Sequence, residues 1–294
     1  LKQLADEVNA GDSKRDKTYL LANDIDLSGY PDWTPIGRFN PPDDMLPFSG
    51  VFDGQGYSIT GLKISGNEDA RGLFGYTYCE TIRNVVIRNP EIQGGDKVGA
   101  LVGHQAYSSE GIENCAVIGG KIQGSNRVGG LVGYMEESPL QNCYTTCEVI
   151  ATDSYAGGIV GTHKVGSGLE NCYATGNVSG SQSGGIIGQA QNVERCVALG
   201  QSVSAQEDAH RVVGENGGGT LSGNYAWRSM KVNGNTVTGG AANNENGADL
   251  ACNGGALSKQ FSEIFANDDA WTYTENGLPI LKVVKGEQSS ELPS

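Results

Sequence analysis

Three histidines, seven cysteines and 34 carboxylates are the groups in this 294-residue chain that could carry chemistry, and their spacing decides what they can do. A zinc protease helix needs His-Glu-x-x-His, two imidazoles one turn apart on the metal and a carboxylate to take a proton from its water. His104, His163 and His210 are scattered and His104 is followed by Gln105, so that motif is absent. There is no Gly-x-Ser-x-Gly elbow and no Gly-x-x-x-x-Gly-Lys-Ser/Thr phosphate loop, and Gly54-Gln55-Gly56 is a pair of glycines in a turn. Of the cysteines only Cys143 and Cys147 are close, with no second pair at ligand spacing, which argues against a zinc site or a disulfide framework.

Two carboxylate arrangements remain. Glycoside hydrolysis needs two carboxyls roughly 5 to 9.5 Å apart across the bond. Glu113 and Glu170 occupy one position of the repeat described below, with Gln141 between them and Arg83 and Glu194 beyond. At about 4.8 Å per stacked coil they stand nearly 10 Å apart with an amide between, and a solvated strand face is the plainer reading. Asp24 and Asp26 alternate with Ile25 and Leu27, which fits a half-buried strand better than a calcium loop. No catalytic residue, metal or cofactor is expected.

The elements that position these residues come from a repeat. Three segments share an Asn-Cys pair after an apolar-x step and end in Gly-Gly-(Leu/Ile)-(Val/Ile)-Gly: Ile112-Glu113-Asn114-Cys115 to Gly133, Leu140-Gln141-Asn142-Cys143 to Gly161 and Leu169-Glu170-Asn171-Cys172 to Gly188; a fourth, Val193-Glu194-Arg195-Cys196 to Gly214, has Arg195 for Asn and a variant ending. An earlier one, Ile82-Arg83-Asn84-Val85 to Gly103, has Val85 for the cysteine. Closing glycines at Gly75, Gly103, Gly133, Gly161, Gly188 and Gly214 are 28, 30, 28, 27 and 26 residues apart, a period that marks a stacked array. Between motifs lie short runs of Val, Ile, Thr, Tyr and Cys broken by Gly, Asn and Ser, without helical periodicity, so each unit reads as two or three short strands. The fold class is all-β: a right-handed parallel β-helix of about six to eight coils, with an N-terminal helical cap and a small C-terminal cap.

In such a stack like residues sit on like. Asn84, Asn114, Asn142 and Asn171 are expected to form a ladder at one turn, amides bonding to each other and to turn backbone. Cys115, Cys143, Cys172 and Cys196 form an inward file, buried and unpaired, as small hydrophobes and not as a metal or redox wire. The recurring glycines mark either a positive-φ corner or a crowded approach of coils. Residues 1–46 read as N-terminal cap and lead-in strands, opening with the amphipathic positions Leu1, Leu4, Ala5 and Val8; residues 47–226 read as the repeat stack. Residues 227–294 read as a cap with an Asn233-Gly234 hairpin, a helix over Leu257 to Phe265 and a strand around Leu278 to Val284.

Motifs such as Gly129-Gly130-Leu131-Val132-Gly133 and Asn171-Cys172-Tyr173-Ala174-Thr175-Gly176 resemble the GLUG-type repeat of secreted bacterial surface proteins, including the non-catalytic β-helical region of immunoglobulin A metalloproteases and some filamentous adhesins. Leu21 to Ser28, Trp33 to Gly37, Phe48 to Ile59 and the ending Leu278-Pro279-Ile280-Leu281 resemble the flanking coils of the same proteins, so the likeness covers nearly the whole chain. It implies a non-catalytic extracellular or cell-surface scaffold for adhesion or ligand binding, its partner a host protein or glycan. The rival reading is a fragment or relative of a secreted hydrolase, immunoglobulin A protease-like or polysaccharide-active.

A net charge of −14 argues against nucleic acid and against anionic lipid, and no apolar run reaches the 18 or so residues of a membrane span. The abrupt start and polar tail from Lys285 suggest that a leader or lipid anchor has been removed, and a monomer is expected. The ligand is expected at the residue after each closing glycine: Tyr76, His104, Tyr134, Thr162 and Gln189, continued by Glu215. Rings exposed there would suit stacking on sugar; the plainer alternative is that Tyr76 and Tyr134 cover the edge of the core.

Overall fold

The computed structural model describes residues 1–251, 257–274 and 277–289. Apolar residues recurring once per period become continuous inner files. Ile82, Ile112, Leu140, Leu169, Val193 and Leu221 pair in register on one sheet, Ile92, Ile122, Val149, Val178 and Val203 on another, and all are buried. Strand on strand at about 4.8 Å, each file is a column of like side chains closed to water. The result is a parallel β-solenoid.

One coil shows the plan. The strands Thr81–Arg83, Val86–Arg88, Glu91–Gln93, Asp96–Val98 and Val102–Ala106 each belong to a different sheet, here named first to fifth, with eight, nine, eight, five and six strands among the described residues. The expectation of two or three strands per unit is corrected to five. The strands are so short, and so closely followed by corners, that alternation along any one of them is too brief to register in the sequence.

The Asn and Gly motifs divide the corner work. Asn84, Asn114, Asn142 and Asn171 all lie in the left-handed region at φ 52 to 56°, and Arg195 at φ 50° takes the place in the next coil. Asparagine tolerates that conformation better than other side chains. The repeating Gly-Gly glycines do not need positive φ; they are crowded. A Cβ on Gly158 would lie 2.1 Å from the carbonyl oxygen of Gly185, as one on Gly130 would lie 2.2 Å from that of Gly158. Gly158→Ala is therefore expected to destabilise the stack by about 2 to 3 kcal/mol, since backbone and not a flexible side chain must move. Urea unfolding of this variant beside Gly29→Ala, at an open glycine without positive φ, checks it; equal midpoints would refute the crowding.

The ladder of asparagine amides is not as expected. Asn84 donates to Asp53, Asn142 and Asn171 to Asp268, and Arg195 donates to the Asn171 oxygen, while Asn114 Oδ1 has no partner.

The N-terminal helix α1 (Lys2–Asn9) buries Leu4, Ala5 and Val8 against the first coils. The stack starts within residues 1–46: Thr18–Leu20 pairs with Val51–Asp53 and Ile25–Asp26 with Ser58–Thr60. It continues past residue 226, where Ala248–Leu250 pairs with Tyr225–Trp227. Arg211, fully buried, pins this last turn by donating to the carbonyls of Asn246 and Gly247 and to Asp249. The Asn233-Gly234 hairpin forms, with both residues at positive φ.

The described residues of the remaining C-terminal part pack on a side of the stack. Helix α2 (Leu257–Ile264) and the hairpin of Trp271–Thr272 with Ile280–Leu281 lie along the outer face of the second sheet. Phe261, Phe265, Trp271 and Leu281 cover a row that includes Val86, Ala116, Tyr144, Tyr173 and Val197. The strap reaches back as far as Gly56, whose carbonyl accepts from the Lys285 N–H at 2.8 Å. The expected strand over Leu278 to Val284 shortens to Ile280–Leu281.

Candidate ligand-binding site

The fifth sheet brings the predicted file together. Tyr76, His104, Tyr134, Thr162, Gln189 and Glu215 pair one to the next in register over six coils. Its N-terminal half is covered. His104 and Tyr134 are each 3 % exposed, and a hairpin, Arg38–Asn40 with Asp44–Leu46, lays Phe39 edge-on against Tyr76 (5.0 Å) and His104 (4.5 Å). The Lys97 ammonium sits 4.1 Å from the Phe39 ring centre, and the Arg127 guanidinium 4.7 Å from that of Tyr134. These faces are occupied by the protein's own groups, so the rings of Tyr76, His104 and Tyr134 are not an open stacking platform.

The C-terminal half opens into a groove of about 580 Å³ lined in part by Tyr107, Glu136, His163, Lys164, Gln189 and Glu215. Its polar groups are held in chains. Glu136 accepts from the Tyr134 hydroxyl at 2.8 Å and from Lys164 at 2.9 Å. Burial pushes the Glu136 carboxyl up, but the hydrogen bonds from Lys164 and Tyr134 outweigh it and hold it below the usual carboxylate range. Tyr155 donates to Glu215 and accepts from Gln189, and burial followed by the Glu215 charge pushes its phenol up to about 12. His163 is buried; its Nε2 accepts the Gln191 N–H and its Nδ1 has no partner. Burial pulls His163 down to about 3, and burial together with Lys97 does the same to His104, so both are neutral in the fold.

Beside this groove stand two exposed aromatics on successive coils. Tyr78 and Tyr107, 44 % and 47 % exposed, face each other with ring centres 5.5 Å apart. Neither belongs to the predicted file. They lie between the closing glycine and the next Asn-Cys motif, a stretch of varying length, so no column of the repeat picks them out.

Glu136 and Glu215 are separated by three coils, roughly 14 Å at the usual strand spacing, beyond the span that works as a hydrolytic pair. Glu113 and Glu170 are in register with Gln141 between them, but Gln141 donates to Glu113 and Arg195 pairs with Glu170, so neither is free to act. The carboxylates of Asp24 and Asp26 accept the backbone N–H groups of Ser58 and Ser28. Among the described residues no group of three or more His, Cys, Asp or Glu side chains is arranged to hold a metal.

No family model matches the chain. Over 109 residues it is 35 % identical to halomucin of Haloquadratum walsbyi, a match taking in 34 % of this chain and 1 % of halomucin. Its fold is similar to the crystal structure of a "putative immunoglobulin A1 protease" from Bacteroides ovatus, with a TM-score of 0.73 and 25 % identity over 91 % of this chain and 86 % of that one. The solenoid is thus an architecture the two share.

The cysteine file lies across the coil from the groove. Cys115, Cys143, Cys172 and Cys196 are fully buried and free, as are the buried Cys79 and Cys147; Cys252 lies outside the described residues. Each thiol of the file donates to the carbonyl two residues earlier, at 3.1 to 3.4 Å, which satisfies it at the left-handed corner. Burial pushes the Cys143 and Cys196 thiols well up, and Cys79 and Cys147 up to about 12, so none of these four is a thiolate at neutral pH.

Proposed function

We propose that this chain is a non-catalytic binding module of an extracellular surface protein, taking a glycan or a host protein along the groove beside Tyr107. The observation that carries the reading is the pairing of two exposed tyrosines, their rings tilted against each other, with a groove whose amides and carboxylates are preset by hydrogen bonds to neighbouring side chains. Flat rings beside fixed polar groups are what sugar rings and peptide side chains stack on. The matches to halomucin and to the Bacteroides ovatus protein support a place outside the cell. The second of these also favours an alternative, that the chain is the non-cutting part of a secreted hydrolase.

Both tyrosines are exposed, so Tyr78→Ala with Tyr107→Ala leaves the fold intact. On an array of glycans and host proteins the double variant is expected to bind about tenfold or more weakly than the unaltered chain, the loss expected for removing two aromatic anchors. Equal binding by the two would reject this groove as the site.

A further inference from the structure

A second groove lies on the outer face of the third sheet, toward the N-terminal end. It has a volume of about 570 Å³ and opens into a neighbouring space of about 300 Å³ that shares Pro31, Lys63, Asn89 and Glu91 with it. Two rows of side chains make the floor. In one, Lys63, Glu91 and Lys121 line the groove in register, with Glu148 next in register just outside its lining, and the charges cancel in pairs: Lys63 with Glu91 at 2.7 Å, Lys121 with Glu148 at 3.4 Å. In the other, Gln93 and Gln123 stand in register on adjacent coils, and neither side-chain amide has a partner among the described residues. At the N-terminal end Tyr30, 40 % exposed, and Pro31 form a wall, tied down where Asp32 accepts from the Ser65 N–H and hydroxyl.

We infer that this groove binds a neutral polysaccharide chain lengthwise, with the unpaired amides of Gln93 and Gln123 on its hydroxyls and the Tyr30 ring against its end. The ligand class follows from three features. The floor is electroneutral, so neither an anionic nor a cationic chain gains from it. The free groups are amides, which donate and accept at once and so match sugar hydroxyls that do the same. The two amides stand on adjacent coils about 4.8 Å apart, an interval close to that of the rings in an extended pyranose chain, so two successive rings each meet one amide. A peptide strand has less to gain here: the backbone N–H and C=O groups of these strands are spent in the parallel ladder, and none is left for a strand to pair with.

The groove is separate from the one beside Tyr107, and the test keeps the two apart. Cellohexaose, mannohexaose and chitohexaose are titrated calorimetrically against the whole chain, with polygalacturonate as the anionic comparison. At least one neutral hexasaccharide is expected to bind, to be weakened about tenfold or more by Gln93→Ala with Gln123→Ala, and to change less than about twofold when salt is raised from about 0.05 to 0.5 M. The Tyr78 and Tyr107 variant is expected to leave this binding unchanged. Absence of binding by all three, preference for polygalacturonate, or a loss caused by the tyrosine pair and not by the glutamine pair would each overturn the inference.

Discussion

Trp271→Ala is expected to cost about 3 to 5 kcal/mol of stability in the C-terminal strap and to free it from the stack. The indole is 1 % exposed and lies 5.2 Å from Phe265, 5.6 Å from Tyr173 and 6.3 Å from Tyr144 between ring centres. Its Nε1–H donates to Asn142 Oδ1 at 3.1 Å, so the substitution adds an unpaired buried amide oxygen to the cavity. Next to it Asp268 holds the amides of Asn142 and Asn171. With the ring gone, the stacked pair Tyr144 and Tyr173 faces water. Each coil of a solenoid is supported by its neighbours, so the stack is expected to outlast the strap and melting to split into two transitions. Circular dichroism melts with hydrogen exchange at Phe261 and Tyr173 distinguish this from a single unshifted transition, which would mean that the strap contributes nothing.

Acid is expected to weaken the fold well above the pH at which carboxylates protonate. His104 and His163 are held near 3 by burial, against 6.5 for an ordinary histidine. Below pH 6.5 the unfolded chain takes up a proton at each histidine and the folded chain does not. Stability is therefore complete above about pH 6.5 and falls as pH drops toward 3, by about 1.4 kcal/mol per pH unit for each histidine. At pH 5 the two together remove on the order of 4 kcal/mol. Glu136 and Asp53, both held below the usual carboxylate range, add their losses only further down. Urea midpoints at pH 7, 6 and 5 measure the slope, and His163→Gln is expected to roughly halve it. A flat response between pH 7 and 5 would contradict the buried neutral imidazoles.

What could be read in advance was whatever the repeat makes periodic. The inner columns through Ile112 and Ile122, the cysteine positions and the register of the file from Tyr76 to Glu215 all follow from aligning one period on the next. The left-handed corner that calls for the asparagines is within reach of the same alignment; Asp268 and Trp271 are not, because they come from the C-terminal strap, outside the repeat. For the same reason neither the hairpin that seats Phe39 on His104 nor the strap on Tyr144 and Tyr173 is legible in the sequence. Those tyrosines point outward on the second sheet, and only a segment about 100 residues further along the chain makes them core, as the 106-residue separation of the Tyr173 hydroxyl from the Pro279 carbonyl that it reaches illustrates. Tyr78 and Tyr107 fall where the period slips, so the candidate site is adjacent to the expected file and not on it.

The central claim is binding without chemistry. Its most direct measurement is to incubate the chain with the strongest ligand from the array, quantify the complex, and analyse the recovered ligand by mass spectrometry. Saturable binding that Tyr78→Ala with Tyr107→Ala weakens is expected, with the ligand recovered intact at every time point. Ligand cleaved by the unaltered chain and left whole by Glu136→Gln would contradict it, and would make the groove an active site.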